Sequence, residues 1–162
     1  MRTAAAALLA GVLLLAQGCP SAYQRTYERE TQRLEAQQQA ARAQAAAEHA
    51  QASRYAAVVY FAVGSAAIDA DGERELRWFT GKMQPYPQAV ILVQGFADTT
   101  GTEAKNRSLS DDRARAVASS LTGQGIPPSR INPQGYGTAS PAASNATPKG
   151  RRNNRRVEVT VQ

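Results

Sequence analysis

The sequence predicts an α+β domain, a mixed four-stranded sheet with helices on one face, preceded by a long helical spacer. Three observations carry this expectation. Residues 21 to 54 contain no Gly or Pro and are dominated by Ala, Gln, Arg and Glu, a composition that favours helix by propensity. From residue 55 onward, strand-like and helix-like patterns follow one another as β-α-β-α-β-β, an order that an α+β layer accommodates. The final run, Val157, Val159 and Val161, alternates as a strand with one buried face does.

Taken in order, the chain opens with Arg2 and an apolar run from Ala4 to Ala16. Spanning a bilayer takes about 20 apolar residues. This run is shorter, so residues 1 to 18 read as a secretory signal peptide. Cys19 is the only cysteine and so has no disulfide partner within the chain. A Cys directly after an apolar signal region and a small residue, here Gly18, resembles the bacterial lipobox, whose Cys becomes the lipidated N-terminus. Ala16 and Gln17 stand where that pattern usually has Leu and a small residue. Pro20 is not the Asp of an inner-membrane retention signal.

Residues 19 to 54 then form the lipidated terminus and an Ala/Gln-rich helical spacer. Its only sizeable apolar residues are Tyr23, Tyr27 and Leu34, too few to bury a face. Tyr27, Leu34 and Ala41 fall at heptad spacing but make too small a seam for a coiled coil. Arg and Glu nearly balance, with helical pairs such as Glu30 and Arg33. His49, the only histidine, is expected in solvent here.

Residues 55 to 162 have the length of one compact domain. Val58 to Val63 form a first strand, followed by a loop from Gly64 to Ile68. Asp69 or Asp71 caps the next helix, with Glu73 and Glu75 in its first turn. Leu76, Phe79 and Met83 at i, i+3 and i+7 give this helix its buried face, and Pro85 and Pro87 end it. Trp78 lies off that stripe and is expected at the surface. The apolar run Ala89 to Val93 is a second strand.

Asp98 to Gly101 break the chain, and Thr102 with Glu103 starts a long helix. On a helical wheel Leu109, Val117 and Leu121 share one side, opposite Lys105, Asp111, Asp112, Arg115 and Ser119. Asn106 and Arg113 fall within the apolar arc. A guanidinium on the inward face needs a fixed acceptor, and Asp98 is the nearest candidate in sequence. One carboxylate, one forked cation, an Asn and the N–H groups of a helix start suit a zwitterion. Asp98 would hold its ammonium; Arg113 and the backbone amides would hold its carboxylate. An Asp in a turn and an Arg that snorkels to solvent account for the same residues. The helix stops near Gly123 or Gly125, a third strand covers Ser129 to Tyr136, and the valine alternation is the fourth.

Several stretches carry a resemblance. They are G-F-A-D at Gly95 to Asp98, N-x-x-L-S-x-x-R-A-x-x-V at Asn106 to Val117, G-Y-G at Gly135 to Gly137, Pro141, N-A-T-P-x-G-R at Asn145 to Arg151, and N-R-R-V-E-V from Asn154. In order and spacing, residues 55 to 162 resemble the OmpA-like domain shared by outer-membrane protein A, the peptidoglycan-associated lipoprotein and the flagellar stator protein. Val63, Gly64 and Thr138 depart from residues common in that family.

The resemblance implies a periplasmic domain that binds peptidoglycan, with Asp98, Thr99, Asn106, Arg113 and Arg151 as ligand-binding positions. Within that set, Asp98 and Arg113 grip the diaminopimelate of the stem peptide. With lipid on Cys19, the protein would be an outer-membrane lipoprotein that tethers this membrane to the wall. The alternative is a Tol-system or other envelope partner protein in which wall binding is secondary.

Composition argues against catalysis. No His or Cys lies in residues 55 to 162, so Ser–His–Asp and Cys–His chemistry and a zinc site have no ligands there. Asp98 with Asp111 or Asp112 is the only carboxylate pair near the site for glycan hydrolysis, and the latter two face outward on the wheel. No enzyme activity, metal or cofactor is expected. The chain carries a net charge of +6, and from Gln51 onward 14 Lys and Arg face nine acids. Arg151, Arg152, Arg155 and Arg156 cluster without interleaved aromatics behind a secretory signal. A polyanionic wall or membrane surface, rather than nucleic acid, is the expected counterpart; the resemblance implies that these arginines border the ligand site and help fix the last strand.

Overall fold

Residues 21 to 162 are described by the computed structural model. The expected signal peptide over residues 1 to 18 and the expected lipidation site Cys19 lie outside the described residues. The described residues fall into two compact units, one up to Ala43 and one from Gln44 to Gln162.

Helix α1 covers Ala22–Ala52. Its start is a reciprocal cap. The Gln24 N–H donates to Ser21 Oγ, and the Ser21 N–H donates to Gln24 Oε1 at 2.9 Å. In the first unit Tyr23, Tyr27 and Leu34 are all exposed, as a helix without an apolar stripe requires. The last turns of α1 belong to the second unit and are anchored within it. Ala52 is fully buried, Tyr86 Oη donates to Gln51 Oε1 at 3.4 Å, and His49 Nε2 is hydrogen-bonded to the Gln162 carbonyl. His49 is exposed, as expected, yet not merely solvated.

In the second unit follow β1 (Ala57–Tyr60), α2 (Ala70–Met83), β2 (Ile91–Gly95), α3 (Glu103–Gly123), a 3-10 turn (Pro128–Arg130), β3 (Ile131–Gly135), α4 (Pro148–Asn154) and β4 (Arg156–Val161). The strand order is β1-β4-β2-β3. Strand β4 runs antiparallel to both β1 and β2, whereas β2 and β3 are parallel. Helix α2 packs on β1 and α3 on the remaining strands, so the expected mixed sheet with helices on one face is present.

The core is what the periodicities select. Leu76, Phe79 and Met83 of α2 and Val117 and Leu121 of α3 are buried against Val59, Ile91, Val93, Val157 and Val159. Both expected caps are in place: Asp69 Oδ1 accepts from the Gly72 N–H at 2.8 Å and Thr102 Oγ1 from the Lys105 N–H at 3.3 Å. Trp78 is 46% exposed, with its ring edge-on to Tyr55 at 6.2 Å.

Three elements differ from expectation. The first strand ends at Tyr60: Phe61 still follows the inward alternation, but from Ala62 onward the chain leaves the sheet, its Ala62 and Ser65 carbonyls accepting from Arg113 of α3, and Val63 is exposed. The third strand, expected from Ser129 to Tyr136, is confined to Ile131–Gly135, because Pro128–Arg130 form a 3-10 turn before it. Helix α4 carries no apolar periodicity, since it buries only Gly150 and Asn154. It is set by Pro148 in its first turn and by Thr147, whose hydroxyl accepts from the Gly150 N–H at 3.0 Å.

Helix α3 lies unusually close to the sheet. A Cβ on Gly95 would stand 2.0 Å from the Ser110 carbonyl oxygen, and one on Gly135 2.5 Å from the Asp111 nitrogen. Only glycine permits that approach. It sets the depth at which Arg113, one turn beyond Ser110, enters the domain.

Candidate functional site

At the carboxyl end of β2 the chain continues through Phe96 and Ala97, both buried, to Asp98 and then turns into the cap of α3. Asp98 Oδ1 accepts from the Thr100 N–H at 2.8 Å, an Asx turn that holds the side chain. Its Oδ2 accepts from Arg155 Nη1 at 2.9 Å, and the two side chains are only 6% and 13% exposed. Burial alone would raise the Asp98 carboxyl, but the bonds from Arg155 and Thr100 outweigh it and hold it below the usual 3.8. Asp98 is therefore a carboxylate at neutral pH.

Arg113 has no exposed surface. Its Nε donates to the Ser65 carbonyl at 2.9 Å, its Nη1 to Phe96 at 3.0 Å and its Nη2 to Ala62 at 3.1 Å. The guanidinium carbon lies 5.2 Å from the centre of the Phe61 ring, within cation–π range. Burial, then the charge of Arg155, lowers its pKa to about 10 against the pull of Asp98, so it stays cationic at neutral pH.

Here the expectation is corrected. Asp98 is not the fixed acceptor of Arg113; three backbone carbonyls are, and Asp98 pairs with Arg155 instead. Nor does Arg113 snorkel to solvent. Side-chain charges can be read from a sequence, whereas the carbonyls of residues 62, 65 and 96 become acceptors only once their loops converge.

Asp98, Asn106 and Arg113 line one cleft of about 340 Å³, together with Val63, Gly64, Lys105, Leu109 and Arg155. Asn106 is 5% exposed, and its side-chain amide has no hydrogen-bond partner among the described residues, so a donor and an acceptor remain open to a ligand.

Thr99 and Arg151 do not join this lining. Both bind Asn145: the Thr99 N–H donates to its Oδ1 at 3.3 Å and Arg151 Nη1 to its carbonyl at 2.8 Å. Buried Asn154 braces the same loop, donating to the Ala143 carbonyl and to Asn145 Oδ1, both at 2.8 Å. Their place is beside the cleft, holding the loop that enters α4.

The cleft arginine from this region is Arg155, four residues after Arg151. Its Nε donates to the Phe61 carbonyl at 3.0 Å. Strand order explains its place. Strand β4 lies between β1 and β2 and runs against both, so the residue entering β4 sits between the exits of the other two. The basic cluster was visible in the sequence, but not which of its members reaches the cleft.

Chemically, the cleft offers one carboxylate, three cations (Lys105, Arg113 and Arg155) and one uncommitted amide. Among the described residues no group of three or more His, Cys, Asp or Glu is placed to hold a metal ion.

Comparisons with known proteins agree with this architecture. The model of the OmpA family matches residues 60–155. The probable lipoprotein YiaD of Escherichia coli K12 is 42% identical over 103 residues, covering 64% of this chain and 47% of the relative. The peptidoglycan-binding protein ArfA of Mycobacterium tuberculosis is 42% identical over 98 residues, covering 60% of this chain and 30% of the relative. The chain thus spans less than half the length of either. Among solved structures, the peptidoglycan-associated lipoprotein of Burkholderia pseudomallei superposes with a TM-score of 0.63 at 27% identity, covering 65% of this chain and 90% of that one. The C-terminal domain of Helicobacter pylori MotB gives 0.61 at 28%, covering 65% and 83%.

Proposed function

Because this chain belongs to the OmpA family, we propose that its cleft binds peptidoglycan without cleaving it, by gripping the diaminopimelate of the stem peptide. The observation that carries this reading is a carboxylate and buried cations facing one cleft, with Asp98 held ionised and Arg113 held charged. The distal carbon of diaminopimelate carries an amino and a carboxyl group. Asp98 faces the ammonium, Arg113 draws the carboxylate, and the open amide of Asn106 can bond either the backbone or the carboxylate of the peptide. A relative named as a peptidoglycan-binding protein supports the wall as the ligand, and one named as a lipoprotein supports the lipid anchor.

With lipid on Cys19 and the helix α1 between anchor and cleft, the protein acts as a tether from the outer membrane to the wall, its domain in the periplasm. Cosedimentation of the purified protein with isolated sacculi tests the reading. Binding that is lost in Asp98→Asn, with no soluble muropeptides released, is the expected result. Release of muropeptides would make it a hydrolase, and a parent protein that stays in the supernatant in the presence of sacculi would remove the wall as its ligand.

A further inference from the structure

The geometry points to a second binding surface: the free edge of β1, with the flank of α2 beside it, docks an extended, lysine- or arginine-bearing segment of a partner protein as an added strand.

The backbone leaves this edge open. Among the described residues β1 pairs with β4 alone and stands at one side of the sheet. The Phe61 N–H donates to the Arg155 carbonyl at 2.9 Å, and in an antiparallel pair the residues that exchange such bonds alternate. In the register Ala57↔Val159 and Val59↔Val157, Ala57 and Val59 therefore bond β4, whereas the N–H and C=O groups of Val58 and Tyr60 point outward. Neither N–H has an acceptor among the described residues. Sheet edges are commonly blunted by proline or by charge, and β3 at the opposite edge carries Pro133. The run Ala57–Tyr60 carries neither.

The side chains define what fits. Val58 and Tyr60 are exposed on the face of β1 that turns away from the core. Beside them lies a cleft of about 210 Å³, walled by Asp69, Asp71 and Glu75, with Arg152 at its rim. Asp69 is spent on capping Gly72 and Asp71 pairs with Arg74 at 2.6 Å. Half-buried Glu75 has no partner among the described residues. Trp78, about one turn further along α2, extends the same flank toward Tyr55, the residue its ring meets edge-on.

An incoming strand would thus find backbone partners two residues apart, apolar surface on one side and an uncommitted carboxylate on the other. A segment that alternates apolar and cationic residues is its complement. A second copy of the chain is not, since antiparallel pairing of two β1 edges would set Asp71 and Glu75 against their own counterparts. None of these residues lines the cleft of Asp98 and Arg113.

Trp78 is the only tryptophan in the chain, so its emission reports occupancy of this surface. The full mature chain in nonionic detergent is titrated with a capped hexapeptide of alternating valine and lysine, and with its valine–glutamate counterpart. Amide hydrogen exchange at Val58 and Tyr60 is followed by NMR. The lysine peptide should shift the emission and, at saturation, slow exchange of both amides at least about tenfold, while Val59, already bonded to β4, changes little. Glu75→Gln should bind it roughly three- to tenfold more weakly at an unchanged melting temperature, and the glutamate peptide should not bind. Binding that leaves both amides unprotected overturns the proposal, as does equal binding of the two peptides, parent-like binding by Glu75→Gln, or no binding up to about 1 mM. Amide protection that rises with protein concentration in the absence of peptide would give the edge to a second copy and overturn it as well.

Discussion

Arg113 Nη1 donates to the carbonyl oxygen of Phe96 at 3.0 Å, tying the middle of α3 to the residue that follows β2. The same guanidinium holds Ala62 and Ser65, so one buried cation closes three segments that meet nowhere else in sequence. A buried charge survives here because neutral acceptors satisfy it in the plane in which its N–H groups point.

Arg113→Lys should therefore fail in two ways. An ammonium keeps the charge but cannot reach three carbonyls arranged around a planar fork, leaving buried acceptors unpaired at about 1–3 kcal/mol. The melting temperature should fall, and affinity for sacculi should fall roughly ten- to a hundredfold. Arg113→Leu should also destabilise, since it orphans all three carbonyls. Arg115→Lys is the control. Arg115 is exposed and among the described residues pairs only with Asp111 and Asp112, so melting and binding should match the parent. An unchanged melt for Arg113→Lys would dismiss the bracket.

Asp98 predicts a pH dependence. Its folded pKa lies below the ordinary 3.8, so its contribution to stability is present above that value and is lost as pH falls through the folded value. The difference in stability between the parent and Asp98→Asn should be constant above about pH 5 and shrink at more acid pH. Denaturant melts of both proteins across that range check the sign; a difference that grows on acidification would contradict it.

Gly95→Ala should destabilise by about 1–3 kcal/mol or more, because the added methyl meets the Ser110 carbonyl oxygen at 2.0 Å. Gly81→Ala, in α2 with nothing within 4 Å of the new Cβ, should instead stabilise by roughly 0.5–1 kcal/mol. Opposite shifts in melting temperature for two chemically identical changes are the readout.

The end of α1 predicts where the folded domain begins. A fragment starting at Gln44 should melt higher than one starting at Tyr55, which lacks buried Ala52 and the bonds of His49 and Gln51. Amides of the first unit should exchange with solvent much faster than those of the core strands. Equal melts for the two fragments would return the boundary to residue 55.

Cys19→Ser should leave an uncut, unlipidated precursor, seen by intact mass and by loss from the membrane fraction. Normal processing of that variant would remove the lipid anchor from the proposed tether.

Much of the molecule is legible along the chain, because helices and strands are selected by forces that act within a turn or two. The stripe Leu76, Phe79 and Met83, the caps Asp69 and Thr102 and the valines of β4 needed no knowledge of the rest of the chain. A mixed sheet and α3 as the site helix were legible in the same way, through element order, motif and wheel, and the anomaly of Asn106 and Arg113 on an apolar arc pointed to the cleft, but the order of the strands in the sheet was not legible. Partners were not legible. Arg113 reaches carbonyls 48 and 51 positions away in sequence, and Asp98 meets a side chain 57 positions away. Local propensity carries no information about such pairings. They follow from β4 inserting between β1 and β2, which brings Arg155 to the point where Phe61 leaves one strand and Asp98 has left the other.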